Sequence, residues 1–421
     1  MDHFSYEQGR LLCDGVPASG LAERFGTPLY VYCAETIRHH FRQLDSSFRA
    51  VGLPPLICYS VKANSNLSVL SLLGELGSGF DVVSGGELRR IREIGGDTSK
   101  VVYAGVGKTE EEIALALDAE IRLFNVEAPS ELARISRLAV ARDRVARVAI
   151  RLNPDVDPGT HRYITTGKRE NKFGIDRDRA RAVLAEAASL PGVEVSGIHV
   201  HLGSQITDVD PYVRGVEAVL RFIDSVPGLG EQVRSLDLGG GFGIHYLGEE
   251  ALPAHCFAEA LAPLLKDRPF ELILEPGRFI VGNAGVLLTE VITVKRSGER
   301  VFAICDAGMN DLLRPSLYDS FHRITPIEPG EGEPLLTDVV GPICESGDFL
   351  GLERELRPLA EGERLAVFGA GAYGFTMAGN YNTRPRAAEV LVDGGEARVV
   401  RRRERFEDLI ALEREAGEPA G

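Results

Sequence analysis

The sequence predicts an α/β protein: a closed (β/α)8 TIM-type barrel over residues 35–280, with an all-β domain after it. Three observations carry this. Eight short apolar runs recur at 56–59, 80–83, 101–104, 121–124, 147–152, 196–201, 235–238 and 271–274. Amphipathic segments of helical period lie between them, so strand and helix alternate. After about residue 280 that rhythm gives way to closely spaced strand-like runs divided by turn residues. An open doubly wound sheet shares the alternation, but it needs a nucleotide fingerprint at its switch point, and none stands in that context.

Taken in order, residues 1–34 hold a short β-type run, Thr27 to Tyr32, after a Gly-Thr-Pro turn; this run is grouped with the far end of the chain. The barrel strands read as continuous apolar stretches because a parallel strand is covered on both faces. Helices are expected at 86–94, 109–117, 129–139 and the Ala-rich 176–190. Beyond 280, the runs VLLTEVITVKR, VFAICDAG, LTDVVGPIC, RLAVFGAG and AAEVLVDGGEARVV read as strands, the last folded at Asp393-Gly394-Gly395. A basic triplet, Arg401 to Arg403, reads as a solvated face before a short final helix.

Composition narrows the function. The chain has 421 residues, 44% of them hydrophobic, enough for a large core. Lys+Arg 47 against Asp+Glu 62 leaves a net charge of −15, which disfavours nucleic acid and anionic membrane surfaces as partners. No run of about 18 apolar residues spans a bilayer, and Met1–Arg10 has no apolar signal core, so a cytoplasmic location is expected. The cysteines (13, 33, 58, 256, 305 and 344) are scattered without a C-x-x-C pair, which argues for reduced thiols and for no metal site.

In a (β/α)8 barrel the reactive groups lie at the C-terminal ends of the strands. The first run ends in Lys62, the sixth in His199-Val200-His201-Leu202-Gly203-Ser204-Gln205, the seventh in Gly239-Gly240-Gly241-Phe242-Gly243 and the eighth in Glu275-Pro276-Gly277-Arg278. A lysine at a strand end is ordinarily a surface residue; in a dry cleft the same amine forms Schiff bases. The glycine run reads either as a tight βα turn or as a phosphate cradle completed by Ser204 and Arg278. His199 and His201 share a strand face but find no third metal ligand. His201 suits a flat ring against a planar cofactor, and His199 a satisfied lumen residue. An amine, a phosphate site and the carboxylate of Glu275 together describe a pocket for pyridoxal 5'-phosphate, with Glu275 keeping the pyridine nitrogen protonated. Two lookalikes fail: Val102 stands where a P-loop ending at Gly107-Lys108-Thr109 needs glycine, and no helix follows Gly369-Ala370-Gly371-Ala372-Tyr373-Gly374.

The motifs YSVKANSN, FDVVSGGEL, TGKRENKFGI, HVHLGSQ, LDLGGGFG, EPGRF, DAGMNDLLRPSLYD, VGPICESGD and GAYGFTMAGNYNTRPRAAEVLV occur in order from about residue 25 to 415. In them the chain resembles the pyridoxal-phosphate-dependent diaminopimelate decarboxylases, of the alanine-racemase-like fold and the Orn/Lys/Arg decarboxylase class-II family. The resemblance implies a β-barrel domain built from residues 1–34 and 281–421, and a head-to-tail homodimer with active sites at the interface. It implies that Lys62 is the Schiff-base lysine, that His201 stacks on the cofactor ring, that Ser204, Gly240, Gly241, Gly277 and Arg278 lie near the phosphate, and that Glu275 meets the pyridine nitrogen. The same resemblance implies that Asp81 and Glu87 support these residues from behind, and that Cys344 and Glu345 reach in from the partner subunit, Cys344 as proton donor and Glu345 for the substrate's distal ammonium. It further implies that Arg314 and Tyr318, with Arg278, clamp the distal carboxylate and that Tyr373 touches cofactor and substrate. The implied reaction converts meso-2,6-diaminopimelate to L-lysine and carbon dioxide, the last step of lysine biosynthesis. The alternatives are a decarboxylase of ornithine or arginine, or a non-catalytic cofactor carrier. Ser60 departs from the alanine expected there, without an expected chemical effect.

Overall fold

The computed structural model describes residues 3–156, 173–246 and 251–416; Thr166–Lys172 of the motif TGKRENKFGI lie outside these. The chain divides into two compact units, one of Arg38–Ile244 and Glu250–Ile280, the other of Met1–Ile37, His245–Glu249 and Val281–Gly421.

The first unit is a closed barrel of eight strands: β1 (Pro55–Ser60), β2 (Gly79–Val82), β3 (Val101–Tyr103), β4 (Leu123–Val126), β5 (Ala146–Leu152), β6 (Val193–Val200), β7 (Ser235–Asp237) and β8 (Glu271–Leu274). Each pairs in parallel with its neighbour in sequence, and β8 returns to β1 through Leu272↔Pro55 and Ile273↔Leu56. The expected runs match these strands to within a few residues, because buried apolar residues dominate most of them. Cys58, Val102, Leu123, Ala149 and Ile273 fill the lumen. The helices between them are cut by local chemistry. Asn66, Ser84, Thr109 and Asp176 each accept a backbone N–H at the start of helices 67–75, 85–93, 110–118 and 177–187, and Pro129 opens helix 129–140.

The second unit is mostly sheet. Strand Leu29–Cys33 lies between Gly285–Ser297, antiparallel, and Ala388–Asp393, parallel. These three and six others form one branched sheet of nine strands. Leu29, Val31, Cys33, Val286, Leu288, Val390 and Val392 share a core. On the opposite face the buried hydroxyls of Tyr30 and Tyr32 donate to Asp311 O at 2.6 Å and Glu389 Oε1 at 2.7 Å. Strand Phe349–Leu356 and the three-stranded meander Phe4–Glu7, Arg10–Cys13, Val16–Pro17 were not expected. The basic triplet is more engaged than a solvated face: Arg401 pairs with Glu389, Arg402 Nη2 with Asp408 Oδ1 at 2.7 Å, and Arg403 Nη2 donates to Pro28 O at 2.7 Å. Among the described residues, no helix is long and apolar enough to cross a membrane.

Candidate active site

Lys62 sits in a single 3-10 turn, Val61–Ala63, directly after β1. Its side chain keeps 35% of its exposure, and Nζ lies 2.7 Å from Oδ2 of Asp81, which is fully buried on β2. The strand-end lysine is therefore neither a free surface residue nor a dry amine; it reaches from the mouth down to a buried carboxylate. Burial, then the charge of Glu275, raise the Asp81 carboxyl above its ordinary range, and Lys62 and Ser60 oppose them. The Ser60 hydroxyl is 2.7 Å from Asp81 Oδ2 and 3.0 Å from Glu275 O. The residue that departs from the family pattern thus touches the partner of Lys62.

Glu275 follows β8 and is 3% exposed. Asn125 Nδ2, from β4, donates to Glu275 Oε1 at 3.1 Å and to Asp237 Oδ2 at 3.2 Å. His199 Nε2 stands 3.5 Å from Glu275 Oε2, and among the described residues neither ring nitrogen of His199 has a hydrogen-bond partner. His199 is a lumen residue as expected, but not a satisfied one. Burial alone would raise the Glu275 carboxyl; His199 and Lys62 outweigh it and hold Glu275 below the usual carboxylate range. The ligand-type atoms of His199, Asp237 and Glu275 all lie within 4.8 Å of one another. The third such group that the sequence did not offer is thus present beside His199, and His201 takes no part in it.

His201 stands one residue beyond β6, and its Nδ1 accepts the Gly240 N–H at 3.2 Å. Burial, with the charges of Arg151 and Lys62, pushes its imidazole well below the ordinary range, so the ring is neutral. The Gly240 N–H is thus directed at the His201 ring. The glycines are required for packing: a Cβ at Gly240 would stand 2.2 Å from Glu275 O, and one at Gly241, where φ is +103°, 2.4 Å from Gly203 O. Gly277 packs on Ser60 and Ala63, where a Cβ would have 3.0 Å. Arg278, 8% exposed, donates through Nη2 to Ser204 Oγ at 3.0 Å, so the two expected anion donors are adjacent.

The remaining candidates belong to the second unit. Arg314 opens the short helix Arg314–Tyr318 and is 5% exposed. Its guanidinium donates to Tyr246 Oη at 2.8 Å and Ser320 Oγ at 3.3 Å, lies 3.1 Å from His322 Nε2, and stacks 4.9 Å over the Tyr246 ring. Tyr318 ends that helix half-buried. Cys344 and Glu345 are exposed on a loop pinned by Asp348, whose carboxylate accepts Ile343 N–H and Met309 N–H at 2.6 Å each. The Cys344 N–H donates to Asn382 Oδ1 at 2.8 Å. Tyr373 is half-buried in the left-handed region, φ +57°, within the Gly369–Gly374 turn. That turn runs into a single 3-10 turn, Phe375–Met377, so no helix terminus is available to bind pyrophosphate.

Sequence reasoning missed Asn125 and Asp237, and the Tyr246 and His322 that orient Arg314. The first two carried a usable signal: each is a polar residue inside an otherwise apolar strand run, where burial requires a partner. Tyr246 and His322 sit in polar loops and had none.

An amine against a buried carboxylate, a second buried carboxylate and an Arg–Ser pair at one barrel mouth define a pyridoxal-phosphate enzyme, and residues 34–282 match the family described as pyridoxal-dependent decarboxylase, pyridoxal binding domain. The chain is 51% identical to diaminopimelate decarboxylase of Vibrio cholerae over 98% of this chain and 99% of that one, and 49% identical to that of Pseudomonas aeruginosa over the same shares. The structure of the Helicobacter pylori diaminopimelate decarboxylase in complex with L-lysine superposes with a TM-score of 0.91 at 40% identity, over 94% of this chain and 99% of that one. The chain belongs to the diaminopimelate decarboxylases. A lysine/ornithine decarboxylase of Vibrio vulnificus, at 22% identity and TM-score 0.77, shares the fold.

Proposed function

We propose that this chain decarboxylates meso-2,6-diaminopimelate at its D-centre, releasing L-lysine and carbon dioxide. The observation that carries it is the Lys62–Asp81 contact of 2.7 Å at the end of β1, with Glu275 buried across the same mouth. These residues fit pyridoxal phosphate: Lys62 supplies the amine that binds its aldehyde carbon, Arg278 and Ser204 the donors for its phosphate, the neutral ring of His201 a flat surface, and Glu275 an anion for its pyridine nitrogen. When bound, the cofactor supplies an electron sink for the pair left by departing carbon dioxide. Asp81 holds Nζ in place and takes up the ammonium charge. Cys344 delivers the proton to the carbon that lost the carboxylate. Arg314, held by Tyr246, Ser320 and His322, receives the distal carboxylate with Tyr318 and Arg278; Glu345 receives the distal ammonium; Tyr373 packs against cofactor and substrate.

The barrel of residues 35–280 is the cofactor domain, and residues 1–34 with 281–421 form the β domain that presents the substrate-end groups. Exposure of Cys344 and Glu345 on a pinned loop supports a homodimer in which each subunit lends that loop to the other. Free thiols throughout fit a reducing compartment, the cytoplasm.

The deciding assay measures carbon dioxide release from meso-diaminopimelate, ornithine and arginine, with the parent and with Arg314→Ala. The parent turns over diaminopimelate alone, and the variant loses about a hundredfold or more in kcat/KM, about 3 kcal/mol of transition-state binding. Equal turnover of ornithine, or an indifferent variant, would sink the assignment.

A further inference from the structure

We propose that Asp237 is a positioning residue: it carries the one proton shared by a carboxylate pair with Glu275, and through it Glu275 is kept ionised and oriented. The inference rests on the reading of Glu275 as the group facing the pyridine nitrogen.

The geometry comes first. Asp237 ends β7 in register with His199 on β6, and both point into the lumen, 0% and 1% exposed. Asn125 Nδ2 is a single neutral donor placed between the two carboxylates, at 3.2 Å from Asp237 and 3.1 Å from Glu275. Two carboxylates this close in a dry lumen do not both ionise, since like charges repel steeply where water is excluded. Asp81 already takes the charge of Lys62. The imbalance that remains is relieved by one proton.

That proton belongs on Asp237. Among the described residues, the hydrogen-bond donors on the Asp237 oxygens are both neutral, the Gly239 N–H at 2.9 Å and Asn125. Glu275 has His199 at 3.5 Å and feels Lys62, both of which favour its anion. Burial and the charge of Glu275 push the Asp237 carboxyl well above its ordinary range, in the same direction. A protonated Asp237 then donates to Glu275 as Asn125 does, leaving Glu275 with two donors below it and its charge intact.

The test is infrared spectroscopy of the full-length holoenzyme. At about pH 8.5, where ordinary carboxyls are ionised, the parent minus Asp237→Asn difference spectrum is expected to show a protonated-carboxyl C=O band. That band moves with 13C-aspartate labelling and not with 13C-glutamate. If Asp237→Asn does not fold, the two labelled parent samples decide. No band, or one that follows the glutamate label, overturns the proposal. In turnover, Asp237→Asn keeps a neutral donor and stays within about tenfold of the parent, whereas Asp237→Ala falls about a hundredfold; an Asn variant as poor as Ala also overturns it. An enzyme that lacks the band yet decarboxylates diaminopimelate overturns this proposal alone, and one inactive on diaminopimelate overturns the reading beneath it.

Discussion

At the scale of single residues, Lys62 and Asp81 set what changes around them must do. Asp81 carries no solvent exposure, and among the described residues Oδ1 has no hydrogen-bond partner, so Oδ2 receives both Lys62 and Ser60. Each donor favours the anion, and burial opposes them. Removing the Ser60 hydroxyl takes away one favourable contact, so the Asp81 carboxyl titrates higher and the amine loses its anchor at a higher pH. In Ser60→Ala the acid limb of the kcat/KM profile against pH is therefore expected to move up. An unmoved limb would mean that Ser60 is only filling space. Lys62, His201 and Glu275 were legible in the sequence because strand ends of a (β/α)8 barrel converge, so position in a run predicts position in space. Asp237 and Asn125 were readable as buried polar residues but not as partners, because a polar residue in an apolar run does not say which strand supplies its partner.

At the scale of elements, helix 85–93 shows how a support for the site is built and what it costs. Ser84 caps it, and Glu87 in its first turn folds back so that Oε2 accepts the Val83 N–H at 2.7 Å. Burial pushes the Glu87 carboxyl up to about 7 from its ordinary 4.5. Between those two values the folded chain holds a proton that the unfolded chain has lost, so stability is greatest at the acid end and declines as pH rises through the window. Glu87→Gln keeps the acceptor and removes the titration. Its melting temperature should match the parent near pH 5 and exceed it by about 2–4 °C near pH 8; a constant difference across that range would rule out Glu87 as the titrating group. The barrel elements were readable because buried parallel strands are mostly apolar and caps are local. Strand Phe349–Leu356 was not: FLGLEREL mixes charge and apolar residues without a clean period, and only pairing with Leu335–Val340 makes it a strand.

At the scale of the whole molecule, composition and periodicity showed two kinds of architecture, whereas how copies of the chain meet came only from the family resemblance. The structure adds that Cys344, Glu345 and Ser346 are exposed while Ile343 and Asp348 on either side are buried and hydrogen-bonded. This exposed thiol on a loop held at both ends is the feature on which the proposed exchange between subunits turns. If Lys62 acts in one subunit and Cys344 comes from the other, the two defects complement. Lys62→Ala and Cys344→Ala are each inactive as pure dimers. In a dimer of one copy of each, one site has lost both residues and the other keeps both. Equal mixing and re-equilibration should then restore about a quarter of parental activity, since half of the dimers are mixed and each has one intact site. If the two residues act within one subunit, no mixture of these variants recovers activity, and carbon dioxide release from the remixed sample distinguishes the two arrangements.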